Sequence, residues 1–252
     1  MSDLGFIGTG HIAAPMVRHL ATKGHRITVT RRNAAIAAQL VAESGVAQGD
    51  AQQVIDASDI VFLCLRPEAA ASVLEPLQFR AGQRIVSVMA GVPHAQLAAL
   101  CAPASDFVQT IPLGFLEQGG CPLPAFGDAA LLADLFAPEN PVVPVDGEAA
   151  LNAHFAITAM VPGLLDLMNS GAEWLAGQTG DADRAEFYTT QLVSGFLHSM
   201  ARGGAGRLLA ERDELATPGT LSLQMTTALR DGDAHDLLQQ ALAAIGKRLE
   251  NS

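Results

Sequence analysis

Three clusters in this 252-residue chain have the residue types and spacing to do chemistry. The first is Gly8-Thr9-Gly10-His11-Ile12-Ala13, a GxGxxA pattern. Gly8 permits a tight turn, Gly10 lets a pyrophosphate approach the backbone, and Ala13 is small enough for a helix to pack on a sheet. The first N–H groups of that helix and the positive end of its dipole then face the phosphates. Gly8, Thr9, Gly10, His11 and Ile12 are therefore the candidate phosphate contacts. For His11, a solvated loop position is the other reading. The second cluster, Arg31-Arg32, falls where an NAD-preferring site places Asp or Glu for the ribose 2′-hydroxyl. Two guanidinium groups suit a 2′-phosphate instead, through charge-assisted bonds of about 1.5–3 kcal/mol each. That predicts NADP(H) over NAD(H) by roughly one to two orders of magnitude. The alternative is a solvated arginine pair on a loop.

The third cluster is Thr217-Pro218-Gly219-Thr220-Leu221-Ser222. Thr217 reads as an N-cap and Pro218 as the first helical residue. A helix start with glycine and hydroxyls leaves N–H donors that can hold a carboxylate. Thr217, Thr220 and Ser222 can orient a second group, such as an imine nitrogen. The plain alternative is a well-capped helix with no ligand.

The elements around these clusters alternate. Leu4 to Ile7 reads as a strand, followed by the glycine turn and a helix with Ile12, Met16, Val17 and Leu20 on one face. Gly24 stops that helix, and Ile27 to Thr30 reads as the next strand. Further strands are expected at 60–65, 84–88, 106–111 and 141–145. Helices are expected at 34–44, 51–57, 68–77, 93–101 and 128–137, with Pro93 at the first helical position. Residues 112–127 read as a Gly/Pro-rich loop. This alternation predicts a Rossmann-type α/β domain over 1–147, built on a doubly wound parallel sheet. Ligands of such sheets sit at the carboxyl ends of the strands. That rim adds Leu65, Arg66, Pro67, Ala90 and Gly91 to the candidate cofactor contacts, with a plain strand-end charge the other reading for Arg66.

From residue 148 the strand pattern stops. Helical patterns over 148–177, 182–202, 217–230 and 234–250 predict an all-helical domain over 148–252. Its many apolar positions predict burial against a partner subunit, a homodimer through this domain. An ordinary internal core is the alternative.

Composition narrows the class. The chain is 49% hydrophobic and carries a net charge of −11, which argues against nucleic acid and anionic membranes as partners. No apolar run is read as reaching the roughly twenty residues of a membrane span. The first strand begins almost at once, leaving no signal peptide in this reading. Cys64, Cys101 and Cys121 are odd in number and lack metal-ligand spacing, so no metal site is expected and the location reads as cytoplasmic.

These motifs together resemble the pyrroline-5-carboxylate reductase family over nearly the whole chain. GFIGTGHIAAPM is similar to that family's nucleotide loop, VFLCLRP to its strand ending in Lys-Pro, and SVMAGVP to its Ala-Ala-Gly turn. TPGTLS, with ALRDGD and a terminal helix after it, is similar to the Ser-Pro-Gly-Gly-Thr-Thr segment and the family's C-terminal end. The resemblance implies a Rossmann domain, a helical dimerisation domain, and hydride transfer from NAD(P)H to a cyclic imine bound between the domains. By position, Thr217 matches the motif serine, Pro218 and Gly219 match outright, and Ser222 matches the last threonine, whose hydroxyl sits by the imine nitrogen. The resemblance therefore marks Ser222 and Thr217 as catalytic, and Pro218, Gly219 and Thr220 as binding a small-molecule substrate. Three stretches depart from the family. Thr220-Leu221 replaces Gly-Thr, Ile111-Pro112-Leu113-Gly114 stands for Met-Pro-Asn-Thr, and Thr158 to Pro162 keeps only the proline of Gly-Ser-Gly-Pro.

Three functions remain in view at this point. The first is an NADPH-dependent reductase of a C=N bond. The second keeps the fold but passes hydride to a deazaflavin or a carbonyl. The third is a non-catalytic NADP(H)-binding protein. No Lys or His stands out as an obligatory acid. His154 and His198 read as core histidines, Trp174 and Tyr188 as packing. Asp166, Asn169, Ser170 and Glu173 form a polar stripe that either lines a cleft or faces water.

Overall fold

The protein is described from a computed structural model covering residues 1–250. Strands β1 (Asp3–Ile7), β2 (Arg26–Thr30), β3 (Ala47–Gly49), β4 (Ile60–Leu63), β5 (Arg84–Ser87), β6 (Asp106–Thr110), β7 (Leu123–Gly127) and β8 (Val142–Pro144) form one sheet in the order β3-β2-β1-β4-β5-β6-β7-β8. The order reverses at the β1–β4 pair, which is the switch point of a doubly wound sheet. Between the strands run α1 (Ala13–Thr22), α2 (Ala34–Ser44), α3 (Ala51–Asp56), α4 (Ala70–Leu74), α5 (His94–Leu100) and α6 (Ala129–Phe136).

Side chains alternate across the sheet, as the two-residue period of a strand requires. Leu4, Phe6, Phe62, Val86 and Val108 pack on one face with Met16, Val17 and Leu20 of α1. Ile7, Val61, Leu63 and Ile85 pack on the other with Leu74 of α4 and Leu97 of α5. Phe6 and Phe62 stack at 4.4 Å between ring centroids, and Phe136 meets Phe62 edge-on at 6.3 Å. Both faces are apolar, which is why β4 reads as an unbroken run, Ile60-Val61-Phe62-Leu63.

The expected sheet is corrected at one edge. β7 pairs antiparallel with β6, and β8 then runs parallel to β7. Residues 112–127, expected as loop, contain a 3-10 turn at Gly114–Gln118 and all of β7. A parallel return needs a crossover helix, and this link carries none. Asn140, fully buried, holds the link by accepting from Cys121 N at 2.9 Å and donating to Leu116 O at 3.2 Å. β3 has no counterpart among the expected strands. The expected helix at 68–77 is shorter, a 3-10 turn at Pro67–Ala69 and then α4, and Pro93 precedes α5 as its N-cap.

The second half is helical: α7 (Glu148–Thr158), α8 (Met160–Thr179), α9 (Ala182–Ser199), α10 (Arg207–Leu215), α11 (Leu221–Asp231) and α12 (Ala234–Glu250). The expected helix at 148–177 is thus two, parted at Ala159, and α10 is an addition to the expected set. By contacts the chain forms two compact units, Met1–Phe155 with the segment from Gly246 onward, and Ala156–Ile245. α7 therefore falls chiefly in the first unit, where Leu151 is buried and the Glu148 carboxylate accepts from His94 N. In the second unit α8 packs along α9. Contrary to the expectation of no such run, Glu148–Thr179 is long and apolar enough to cross a membrane by length and composition alone, its most apolar 18 residues having a mean hydropathy of 1.3.

His19 on α1 is buried, stacks on Phe136 at 5.8 Å and has no partner for Nε2 among the described residues. Burial, helped by the Lys23 charge, pushes its imidazole below the ordinary 6.5. His25 is lowered by burial as well. The unfolded chain then binds these protons first as pH falls, so stability drops below about pH 6.5 until the folded-state values are reached. The melting temperature is expected to fall between about pH 7.5 and about pH 5.5. His19→Phe should shrink that fall without abolishing it; an unchanged pH profile would contradict the assignment to His19.

Candidate functional site

β1 ends at Ile7, and the chain turns at Gly8 with φ of +96°, a conformation open to glycine and costly for other residues. A Cβ built on Gly8 would lie 2.3 Å from the Cys64 carbonyl oxygen, beyond the end of β4. Hydrogen bonds to the end of β2 hold the turn. Gly8 N donates to Thr30 Oγ1 at 2.9 Å, and Thr9 Oγ1 donates to the Thr30 carbonyl at 2.6 Å. Thr9 is buried, so its side chain serves the turn itself.

Gly10 is a different case. A Cβ there would meet nothing within 4 Å, so the chain's own packing does not require glycine. The open side of Gly10 belongs to a cleft lined by Gly8, Thr9, Gly10, Arg32, Leu65 and Arg66 among others. Immediately after it, α1 begins at Ala13 with no side-chain cap and no acidic residue in its first turn. Five other helices are capped by side chains: α2 by Asn33, α3 by Asp50, α6 by Asp128, α9 by Asp181 and α11 by Thr220. Bare backbone donors beside a side-chain-free surface suit an anion.

A second cleft adjoins the first, sharing Gly8, Arg32 and Leu65, and is also lined by Thr30, Arg31, Gly49 and Asp50. The two measure about 410 and 530 Å³, within the range of small-molecule and cofactor sites. Arg31 Nη2 donates to Gln53 Oε1 at 3.3 Å, and the same oxygen accepts from Asp50 N at 3.0 Å. Asp50 Oδ1 in turn accepts from Gln53 N at 2.9 Å. This capping box at the start of α3 steadies the Arg31 guanidinium. Its mark in the sequence is Asp50-Ala51-Gln52-Gln53, a cap residue with glutamine three positions on. Cys64 also faces the first cleft, and burial raises its thiol far above the ordinary range, so it stays protonated there.

Of the expected cofactor residues, the paired clefts bring together Gly8, Thr9, Gly10, Arg31, Arg32, Leu65 and Arg66. His11, Ile12 and Pro67 are exposed beside the turn and outside the two linings, as is the half-buried Ala90. Gly91 lines a separate cavity at the end of β5. The residues of the paired clefts fit the phosphates and the 2′-phosphate of a nicotinamide dinucleotide.

In the second unit, the stretch 217–222 is built otherwise than expected. Thr220, not Thr217, caps α11: its Oγ1 accepts from Leu223 N at 3.1 Å and donates to Thr217 O at 2.7 Å. Pro218 therefore lies before the helix, and Gly219, at φ of +85°, makes the turn into the cap. Thr217 and Ser222 are exposed, and Ser222 sits in the first turn of α11. The polar stripe on α8 is exposed, with Asn169 Nδ2 bonded to Glu173 Oε1 at 2.9 Å. Trp174 and Tyr188, expected as packing, are 69% and 60% exposed. His154 is half-buried and bonds the Ala150 carbonyl at 2.7 Å, whereas His198 is exposed. Among the described residues no cluster of metal-ligating side chains is found.

Residues 3–91 match the family model described as NADP oxidoreductase coenzyme F420-dependent. Over 98% of its length the chain is 23% identical to a pyrroline-5-carboxylate reductase of Vibrio alginolyticus, covering 96% of that protein. It is 27% identical to one of Pseudomonas aeruginosa, over 97% of this chain and 94% of that protein. Its fold is that of a Plasmodium falciparum pyrroline carboxylate reductase solved with NADP bound, at TM-score 0.83 and 14% identity, covering 99% and 97% of the two chains.

The two glycines separate structural from ligand-binding demands. Gly8→Ala should lower the melting temperature sharply, because its Cβ meets backbone. Gly10→Ala should leave stability nearly unchanged while weakening NADPH binding about tenfold or more. Replacing Arg31 and Arg32 by Ala should weaken NADPH by about one to two orders of magnitude and NADH little. Equal losses for the two cofactors, read by fluorescence titration, would remove the 2′-phosphate assignment.

Proposed function

We propose, on its similarity over nearly the whole chain to pyrroline-5-carboxylate reductases, that the protein is a divergent member of that family and an NADPH-dependent reductase of C=N bonds in small cyclic imines. The observation that carries the reading is the pairing, in adjoining clefts, of the open Gly10 surface with Arg31 and Arg32. The match to the coenzyme F420-dependent NADP oxidoreductase model ends at Gly91, within the nucleotide-binding half. It therefore supports NADP as cofactor and bears little on the hydride acceptor.

A bound dihydronicotinamide supplies hydride, so the chain's own task is to bind, orient and manage one proton. In this reading the hydroxyl of Ser222, or a water it holds, serves the substrate nitrogen, with Thr217 beside it in the same stretch. Gly219 and the start of α11 contribute to substrate binding, with Pro218 and Thr220 shaping that turn. Proline synthesis is the working role if pyrroline-5-carboxylate is turned over.

The reading includes a cytoplasmic homodimer formed through the helical unit. Its support is the apolar surface of α8 and α9, where Leu167, Trp174, Phe187, Tyr188 and Leu192 are each more than half exposed. A second copy of the chain covers that surface in this reading, and the apolar stretch 148–179 is part of the soluble dimer.

Purified protein should oxidise NADPH in the presence of at least one small cyclic imine and sediment as a dimer. Silence across a panel of five- and six-membered cyclic imines, with NADPH still bound, would overturn the reductase reading. A monomer at micromolar concentration would overturn the dimer.

A further inference from the structure

At the carboxyl ends of β5 and β6 lies a cavity of about 140 Å³ that is separate from the two clefts around Gly8. It is lined by Gly91, Val92, Gln109, Glu148, Asn152 and Glu250 among others, and no Lys or Arg is in the lining. Gln109, on β6, is 4% exposed. Its Nε2 donates to the Val92 carbonyl at 2.9 Å, which fixes the orientation of the amide, since the flipped amide would set oxygen against oxygen. Its Oε1 is left buried with no donor among the described residues.

A buried carbonyl oxygen in a native structure calls for a donor, from water or from a ligand. The remaining polar groups on the walls say which. Glu148 already receives one backbone N–H, from His94, and as a carboxylate it has capacity for more. Gln109 Oε1, Glu148 and Glu250 all accept, and Asn152 can turn to do so. The complementary guest therefore brings N–H donors and positive charge. A guest carrying its own carboxylate meets like charge on these walls. The volume is close to the roughly 150 Å³ of a cavity known to admit one benzene ring, so a single five- or six-membered ring fits.

Resting on the hydride-transfer part of the imine-reductase reading, and replacing its Ser222 contact to the substrate nitrogen, we propose that this cavity receives the protonated nitrogen of a cyclic imine. The substrate class is then a small iminium cation without a carboxylate. Gln109 Oε1 and the Glu148 carboxylate accept its N–H. A dinucleotide held by the Gly8–Gly10 turn, Arg31 and Arg32 would supply hydride to the imine carbon, so that the C=N π pair would pass to nitrogen and the dinucleotide would leave oxidised. The neutral amine then takes a proton from water and departs as ammonium. This assignment agrees with the altered stretch 217–222, where Leu221 stands 84% exposed in place of a family threonine.

Calorimetric titration of the full-length protein, saturated with NADP⁺, with pyrrolidine and with L-proline tests the cavity apart from turnover. Pyrrolidine is expected to bind at least about tenfold more tightly than proline. Gln109→Leu and Glu148→Gln should each weaken pyrrolidine binding by about tenfold while leaving the NADPH affinity unchanged. In steady-state assays 1-pyrroline should be preferred over 1-pyrroline-5-carboxylate. Preference for the carboxylated imine would overturn the proposal while leaving the reductase reading intact. Absence of pyrrolidine binding, or binding indifferent to both substitutions, would reduce the cavity to a site for structural water and overturn the proposal. If neither imine is reduced but pyrrolidine binds in the Gln109-dependent way, the reductase reading fails and the ammonium site stands.

Discussion

The structure turns on the clamp that holds Gly8 between three strands. Its N–H is bonded to the Thr30 hydroxyl of β2, and its backbone lies so near the Cys64 carbonyl that no side chain fits. Thr9 closes the clamp by donating to the carbonyl of the same Thr30. These contacts join the ends of β1 and β2 and the residue following β4 at the point where the strand order reverses. The consequences spread outward along the chain. The direction of α1, the exposure of Gly10 and the placing of Arg31 and Arg32 just beyond Thr30 all follow from the way this turn is pinned. The dinucleotide site proposed for these clefts is then mostly backbone geometry, with the arginines added at its rim.

That part of the molecule was legible in the sequence because each demand there is local. Glycine at a positive φ, a small residue where helix meets sheet and paired cations after a strand leave marks in residue type alone. The alternation of strand and helix was legible for a related reason: both faces of the sheet are buried, so its central strands are apolar runs. The edge was less legible. β7 carries Pro124 and lies among glycines, and its strand identity comes from pairing with β6 rather than from its own composition. β3 has three residues and no apolar signature. Gln53 is marked in the sequence as part of a capping box with Asp50, but its contact with Arg31, 22 residues away in the chain, is not.

The helical half is less legible still. Helical periodicity locates α8, α9, α11 and α12 but passes over the interruption at Ala159, whose mark is Pro162, a residue without the N–H that would reach the Thr158 carbonyl. At the start of α11, three hydroxyl residues compete to be the cap, and composition does not choose among them. The structure chooses Thr220, since Gly219 supplies the left-handed turn that delivers it to that position. The Thr220 hydroxyl is thereby committed to the backbone, which leaves Thr217 and Ser222 as the residues of that stretch with hydroxyls to offer.

The bare start of α1 also links the cofactor to the fold itself. Five other helices of this chain close their first turn with a side-chain cap, whereas α1, like α4, α5, α8 and α10, has none, and at α1 the bare turn follows the open Gly10 surface that suits an anion. An anion that binds the folded turn and not the unfolded chain adds RT ln(1 + [L]/Kd) to stability, about 2.7 kcal/mol when present at a hundred times its Kd. For a domain with the usual stability of about 5–15 kcal/mol, that is a substantial share. The nicotinamide dinucleotide is then a folding partner as well as a reagent. The steady-state amount of protein in a cell would rise and fall with the supply of its own cofactor.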